Sequence, residues 1–323
     1  REIPTISHIS AGQPIIDEKV SDQGEQIIRA VTGLKESYLF IQGPPGAGKT
    51  YTGSRVIVEL LRQGKRVGVS SNSHKAINNL LMAVEKHATE TGFNFRGVKK
   101  STEDNASTYF DGEIIVDVLK KEAVFGGKYQ LIAGTAWLFS ELQMDQTLDY
   151  IFIDEAGQIA LANLIGMSAS AKNIVLLGDQ MQLSQPEQGV HPGLSGESSL
   201  DYLLEGKATI PSDRGIFLKT SWRMHPAICS FISEAVYDGR LLPEKQNAKR
   251  QLVLNATAHP ALMPAGIRYI PVNHESCSQS SPEEADLIKG IYENLLTQSY
   301  TDKEEKKFSI KAENILVVSP YNM

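Results

Sequence analysis

The feature that most constrains this chain is the octapeptide Gly43-Pro44-Pro45-Gly46-Ala47-Gly48-Lys49-Thr50, which fits the pattern G-x-x-x-x-G-K-[ST]. It lies between an apolar run at residues 38–42 and a stretch with helical apolar spacing at 50–62. That context gives the pattern its physical meaning. Glycines after a strand let backbone N–H groups approach an anion, and the following helix adds the positive end of its dipole. Lys49 is expected to reach the β and γ oxygens of a nucleoside triphosphate, with Thr50 as a Mg²⁺ ligand.

A loop of this kind needs a strand end beneath it, and the chain offers several. Apolar runs at 38–42, 66–70, 131–133, 150–154 and 173–178 read as strands buried on both faces, interleaved with helical patterns at 50–62 and 74–86. This is the grammar of a parallel α/β sheet. Residues 89–128 are polar and poorly periodic, and read as an insertion. Residues 185–215 are rich in Gly, Pro and Ser, which suits a linker and sets a domain boundary near 210, giving domains 1–210 and 211–323. The second domain is expected to contain strands at 215–218, 267–272 and 314–319 and helices at 226–237 and 282–296.

Composition supports two buried cores: 323 residues, 41% hydrophobic and 22% charged. A formal charge of −6 excludes a surface coated in positive charge, so any nucleic-acid site must be a local groove. Two cysteines, Cys229 and Cys277, are too few for a disulfide framework and point to a reducing, cytoplasmic setting. No apolar run approaches the roughly 20 residues that span a bilayer, so no membrane partner is expected. The chain starts at Arg1 rather than Met, and further residues are expected upstream.

Two more strand ends carry polar residues. The run at 150–153 leads into Asp154-Glu155-Ala156-Gly157, where Asp154 is expected to hold Mg²⁺ and Glu155 to orient and deprotonate the attacking water. The run at 174–177 ends in Gly178-Asp179-Gln180-Met181-Gln182-Leu183, and Gln182 is a candidate sensor of the γ-phosphate. Ligands of open α/β sheets sit at the carboxyl ends of strands, so these tips mark one crevice. A guanine-reading N-K-x-D is absent, which counts against a GTPase.

The order of these motifs, followed by Trp222-Arg223-Met224-His225-Pro226, resembles the superfamily 1B helicases, the group of the nonsense-mediated-decay helicase and related DNA-processing helicases. The phosphate loop looks like motif I, the Asp-Glu-Ala-Gly segment like motif II, residues 178–183 like motif III, and residues 222–226 like the family's Tyr-Arg-Met-His-Pro. The resemblance implies two RecA-like P-loop domains with parallel sheets, the second incomplete. It also implies an ATP-dependent motor on single-stranded DNA or RNA, moving 5′ to 3′, with a fused or associated nuclease or regulatory domain as a partner. A non-translocating ATP-dependent switch acting on a protein is the alternative.

By the same resemblance Arg223 is the finger that joins Lys49, Glu155 and Gln182 in catalysis, and Trp222 stacks on adenine. Gln26 stands at the family's usual distance before the loop and would read adenine, although Gln23 is nearby. The whole loop (Gly43, Pro44, Pro45, Gly46, Ala47, Gly48, Lys49, Thr50) and the adjoining Tyr51 are expected to line the nucleotide. Ser71, Asn72 and Lys75 resemble motif Ia and Thr135 the next strand-contact motif, so these residues are expected on the nucleic-acid backbone. The segment at 317–323 resembles the strand before the family's last motifs, whose further arginine lies beyond it. The chain alone is therefore expected to have weak ATPase and no unwinding.

Overall fold

The computed structural model describes residues 2–20, 22–182, 192–275 and 277–319. It divides into two compact units, Arg1–Lys219 and Thr220–Met323. In chain order the first unit contains α1 (Gly24–Thr32), β1 (Tyr38–Gln42), α2 (Lys49–Arg62), β2 (Val67–Ser70), α3 (His74–Glu90), β3 (Gly97–Lys100), β4 (Ile115–Val118), α4 (Lys121–Phe125), β5 (Leu131–Ala133), α5 (Ala136–Phe139), β6 (Leu148–Ile153), α6 (Leu161–Ser168), β7 (Ala171–Gly178), α7 (Ser199–Leu204) and β8 (Gly215–Phe217).

All eight strands join one parallel sheet in the order β4-β3-β5-β2-β6-β7-β1-β8. The central strands are apolar on both faces because helices cover both, and Leu39, Phe40, Ile41, Ile151, Phe152 and Ile153 are fully buried. Helix α3 shows how the covering helices are specified. The Ser73 hydroxyl accepts from the Ala76 N–H at 3.1 Å and starts the helix. Ile77, Leu80, Leu81, Val84 and Ala88 then recur on one face, and that face is buried.

Three expectations change here. The apparent insertion is a sheet extension: β3 and β4 continue the parallel ladder at one edge, with Val98 and Ile115 fully buried. Its polarity misleads because much of it is spent inside. The Glu85 carboxylate of α3 accepts from the N–H groups of Ile114 at 2.8 Å and Ile115 at 2.7 Å, which pins the start of β4. Residues 185–215 are likewise more than a linker. Among them, 185–191 lie outside the described residues, but α7 buries Ser199, Leu200 and Leu204.

The third change concerns the strand expected to open the second domain. As β8 it pairs with β1 instead, Phe40 opposite Gly215 and Gln42 opposite Phe217, so it closes the first sheet. Gly215 is required there, because a Cβ would sit 2.5 Å from the Phe40 carbonyl oxygen.

The second unit contains β9 (Thr220–Ser221), α8 (Pro226–Val236), β10 (Leu242–Pro243), β11 (Gln251–Val253), α9 (Pro282–Leu295), β12 (Ser299–Thr301) and β13 (Lys307–Ser309). Strands β9 and β10 form a parallel pair, while β11, β12 and β13 form an antiparallel sheet. Both expected helices form. The runs at 267–272 and 314–319 join no ladder among the described residues, and residues 320–323 of the segment at 317–323 lie outside them. An apolar run becomes a strand only beside a partner, and here Tyr269, Leu316 and Val318 are 87%, 86% and 76% exposed.

Candidate nucleotide site

The loop between β1 and α2 takes the shape its sequence demands. Gly46 and Gly48 have φ of +76° and +90°, conformations that cost a residue with a Cβ about 1–2 kcal/mol. Gly48 caps α2 with no side-chain bond to the helix end, which leaves the first N–H groups of α2 for a ligand. Ala47 is buried and donates its N–H to the Pro44 carbonyl at 3.0 Å, fixing the turn that includes Pro45. A Cβ on Gly43 would collide with the Lys49 side chain, whose Nζ donates to the Gly43 carbonyl at 2.7 Å. Lys49 thus lies back across its own loop. Thr50 is half-buried beside it, and Tyr51 is exposed with the Arg55 guanidinium 3.5 Å from its ring centre.

Sheet register brings the other strand ends to this loop. The Gly43 N–H donates to the Gly178 carbonyl at 2.9 Å, and β7 pairs with β6 on its other side. Asp154, at the end of β6, is 5% exposed. Burial raises its carboxyl pKa to about 6, the charge of Glu155 adds to the rise, and the Glu155 N–H and Lys49 oppose it. Its Oδ1 accepts from the Glu155 N–H at 3.0 Å. Glu155 itself has φ +51°, a left-handed turn uncommon for glutamate, which swings the chain away from the strand end.

On β7 the tip is tied down by its own acid. Asp179 is 3% exposed; its Oδ1 accepts from the Met181 N–H and its Oδ2 from Gln182 Nε2, both at 3.3 Å. Gln182 is therefore held at the tip of β7 through its own amide. Gln42, absent from the expected site, organises this end of the sheet. Fully buried, it donates through Nε2 to Gln180 Oε1 and the Ala208 carbonyl, both at 2.9 Å, and accepts from the Ile210 N–H at 2.7 Å. A polar residue closing an apolar strand was the available signal.

The expected adenine reader, Gln26, accepts from the Asp17 N–H at 2.8 Å. Gln23, three residues earlier, has a buried side-chain nitrogen with no hydrogen-bond partner. The nucleic-acid candidates separate in the same way. Ser71 is 1% exposed and its hydroxyl is unpartnered, while Asn72 Nδ2 donates to the Gln158 carbonyl at 2.8 Å. Lys75 is exposed on the first turn of α3, and Thr135 is the cap residue of α5. Strands β2 and β5 are neighbours, so Ser71 and Thr135 lie just past adjacent strand ends.

Trp222 and Arg223 belong to the second unit. Both are exposed, and the Arg223 carbonyl accepts from Arg250 Nη1 at 3.3 Å. The rest of their motif is a helix start: His225 Nδ1 accepts from the Ala227 N–H at 3.1 Å and Pro226 occupies the first turn of α8.

A parallel sheet bearing a glycine-rich anion loop, with a buried acid at the end of the strand two positions away, defines a P-loop nucleotide-binding domain. The chain belongs to the AAA domain family, whose model matches residues 19–193; a second AAA domain model matches residues 196–323. The chain is 25% identical over 99% of its length to the DNA replication ATP-dependent helicase/nuclease JHS1 of Arabidopsis thaliana, covering 24% of that protein. It is 24% identical over 95% of its length to the DNA polymerase alpha-associated DNA helicase A of Schizosaccharomyces pombe, covering 53% of it. With the human DNA replication ATP-dependent helicase/nuclease DNA2 it shares 27% identity over 64% of the chain and 20% of that protein. These relatives are named as helicases, the activity of the group its motif order resembles. An arterivirus helicase solved with DNA aligns at 13% identity and a TM-score of 0.43, over 64% of this chain and 42% of that one, too weak a likeness to add to the fold. No helix among the described residues is long and apolar enough to cross a membrane.

Proposed function

We propose that the chain is the ATP-dependent motor of a nucleic-acid translocase or helicase acting on single-stranded DNA or RNA. The observation that carries this is one edge of one sheet. The anion loop after β1, the acids after β6 and the amide tip of β7 lie beside the small hydroxyl residues that end β2 and β5. Groups suited to triphosphate and groups suited to a phosphate backbone therefore stand on one rigid scaffold, where movement at one can be felt at the other.

The residues fit their proposed ligands. Positive φ at Gly46 and Gly48 turns backbone N–H groups into an anion cradle. Asp154 is a buried carboxylate whose ionised form is disfavoured by its surroundings, and a divalent cation would relieve that. Asp154 and Thr50 would hold Mg²⁺, which would supply charge neutralisation to the triphosphate. Lys49 leaves the Gly43 carbonyl to neutralise the phosphates, and Glu155 accepts the proton of the attacking water. Gln182 reports the γ-phosphate. Arg223 and Trp222 take the finger and adenine-stacking roles their motif gives them, and Gln26, with Gln23 nearby at the cap of α1, reads the base edge.

For a fused or associated nuclease or regulatory domain, relatives named as helicase/nucleases support the nuclease half of that reading, and movement from 5′ to 3′ rests on the motif resemblance alone. Both cysteines are free, which supports a cytoplasmic setting. The test is ATPase rate with and without single-stranded DNA or RNA, using Lys49→Ala as the control. Stimulation by either strand that vanishes in Lys49→Ala is the expected result. Turnover that responds only to an added protein would point to the switch instead.

A further inference from the structure

Trp137 is 86% exposed, an unusual state for the side chain with the most apolar surface to hide. Its exposure is not slackness. Helix α5 is a single turn whose next residues, Leu138 and Phe139, are 4% and 1% exposed, so the turn is anchored and the indole is presented on a fixed base. Only Gly134 and Thr135 separate β5 from this turn, and the Gly134 N–H donates to the Val69 carbonyl at 3.1 Å, which ties the junction to β2. Trp137 is two residues from Thr135, within about 7 Å along the chain. The neighbouring strand ends at Ser70 and Ser71, whose buried hydroxyls both lack a hydrogen-bond partner.

We propose that Trp137 is a stacking platform for a base of the single strand, set beside the phosphate contacts at Ser71 and Thr135. The assignment rests on the motor reading above and adds to it a residue that grips bases rather than backbone. An indole offers a π-face that every base can use, so such a grip holds a strand without reading its sequence, as a translocating motor requires. Thr135, half-buried at the cap of the same turn, adds a hydroxyl of the kind a backbone phosphate, and not an apolar protein partner, would use. Leu142, 89% exposed shortly after α5, extends the apolar surface of this segment.

The chain has only two tryptophans, which makes the test direct. In a Trp222→Phe background the sole indole is Trp137, and titration with an oligothymidylate or oligouridylate of about 16 nucleotides should quench its fluorescence saturably. Binding of the same labelled oligonucleotide, followed by anisotropy, should weaken about 5- to 150-fold in Trp137→Ala and recover in part in Trp137→Phe, with unchanged thermal unfolding. Oligonucleotide binding with no quenching and wild-type affinity in Trp137→Ala would overturn the stacking role and leave the motor reading standing. Failure of the wild-type chain to bind either strand would overturn both. Self-association lost in Trp137→Ala, with strand affinity unchanged, would assign the indole to a second copy of the chain and also refute the proposal.

Discussion

Glu155 and Asp154 are adjacent in sequence yet stand in different surroundings: Asp154 is buried and its pKa raised to about 6, while Glu155 is half-buried on a left-handed turn. That separation argues for a division of labour, and Glu155→Gln should retain ATP binding while lowering turnover about 10²- to 10⁴-fold. Nucleotide affinity and single-turnover hydrolysis measure the two separately. His74 carries a pH prediction. Burial lowers its pKa first, Lys99 and Lys100 lower it further, and Asp117 opposes them. The unfolded chain therefore takes up a proton near pH 6.5 that the folded chain refuses, so this contribution is intact above 6.5 and is lost as pH falls below it. Thermal midpoints between pH 7.5 and 5.5 should fall less for His74→Asn than for the wild type. The glycine turn at Gly46 and Gly48 was legible in the sequence because its spacing is itself the geometry. The bond that Asn72 makes was not: only the folded chain places the Gln158 carbonyl within 2.8 Å of its amide. Nor does any local pattern show that Lys99 is fully buried, 3.8 Å from Asp117 and bonded to Ser101 and the Thr108 carbonyl.

At the scale of elements, strands flanked by glycine-rich loops and long helices could be read directly, and β1 and β5 form at the expected residues. What the sequence hides is which sheet a short strand joins. β8 is three residues long and follows a polar stretch, so nothing local distinguishes the last strand of one unit from the first of the next. The pairing of Gly215 with Phe40 decides it, and it depends on the absence of a side chain. Gly215→Ala places a Cβ 2.5 Å from the Phe40 carbonyl oxygen and against Ile210, and backbone cannot yield as a flexible side chain can. A loss of about 1–3 kcal/mol is expected, seen as a lower thermal midpoint, with the strain relieved by moving β8 from β1. Amide exchange on Leu218, whose N–H donates to the Gln42 carbonyl, should accelerate with it. Unchanged protection there would mean that β8 does not depend on that close approach. Strands β3 and β4 were concealed for a related reason. They are held by polar anchors, Glu85 and the Lys99–Asp117 pair, rather than by the continuous apolar run that marks a central strand.

For the whole molecule, burial is divided unevenly between the two units. The main hydrophobic cluster runs from Ile6 to Leu218 and lies entirely within the first unit. In the second, α9 has helical length, a proline at its start and a Ser281 cap, yet none of its residues is buried. Hydrophobic burial is the dominant favourable term in folding, so the first unit should be the independently stable one. A fragment of residues 1–219 is expected to unfold cooperatively, with a thermal midpoint close to that of the main transition of the whole chain. It retains the phosphate loop, Asp154, Glu155 and Gln182 but lacks Trp222 and Arg223, so it should bind ATP and hydrolyse it far more slowly than the whole chain. The comparison isolates the second unit's share. Equal turnover by fragment and whole chain would deny Arg223 a part in catalysis. A fragment that failed to fold would show instead that the eight-stranded sheet needs the second unit for its stability.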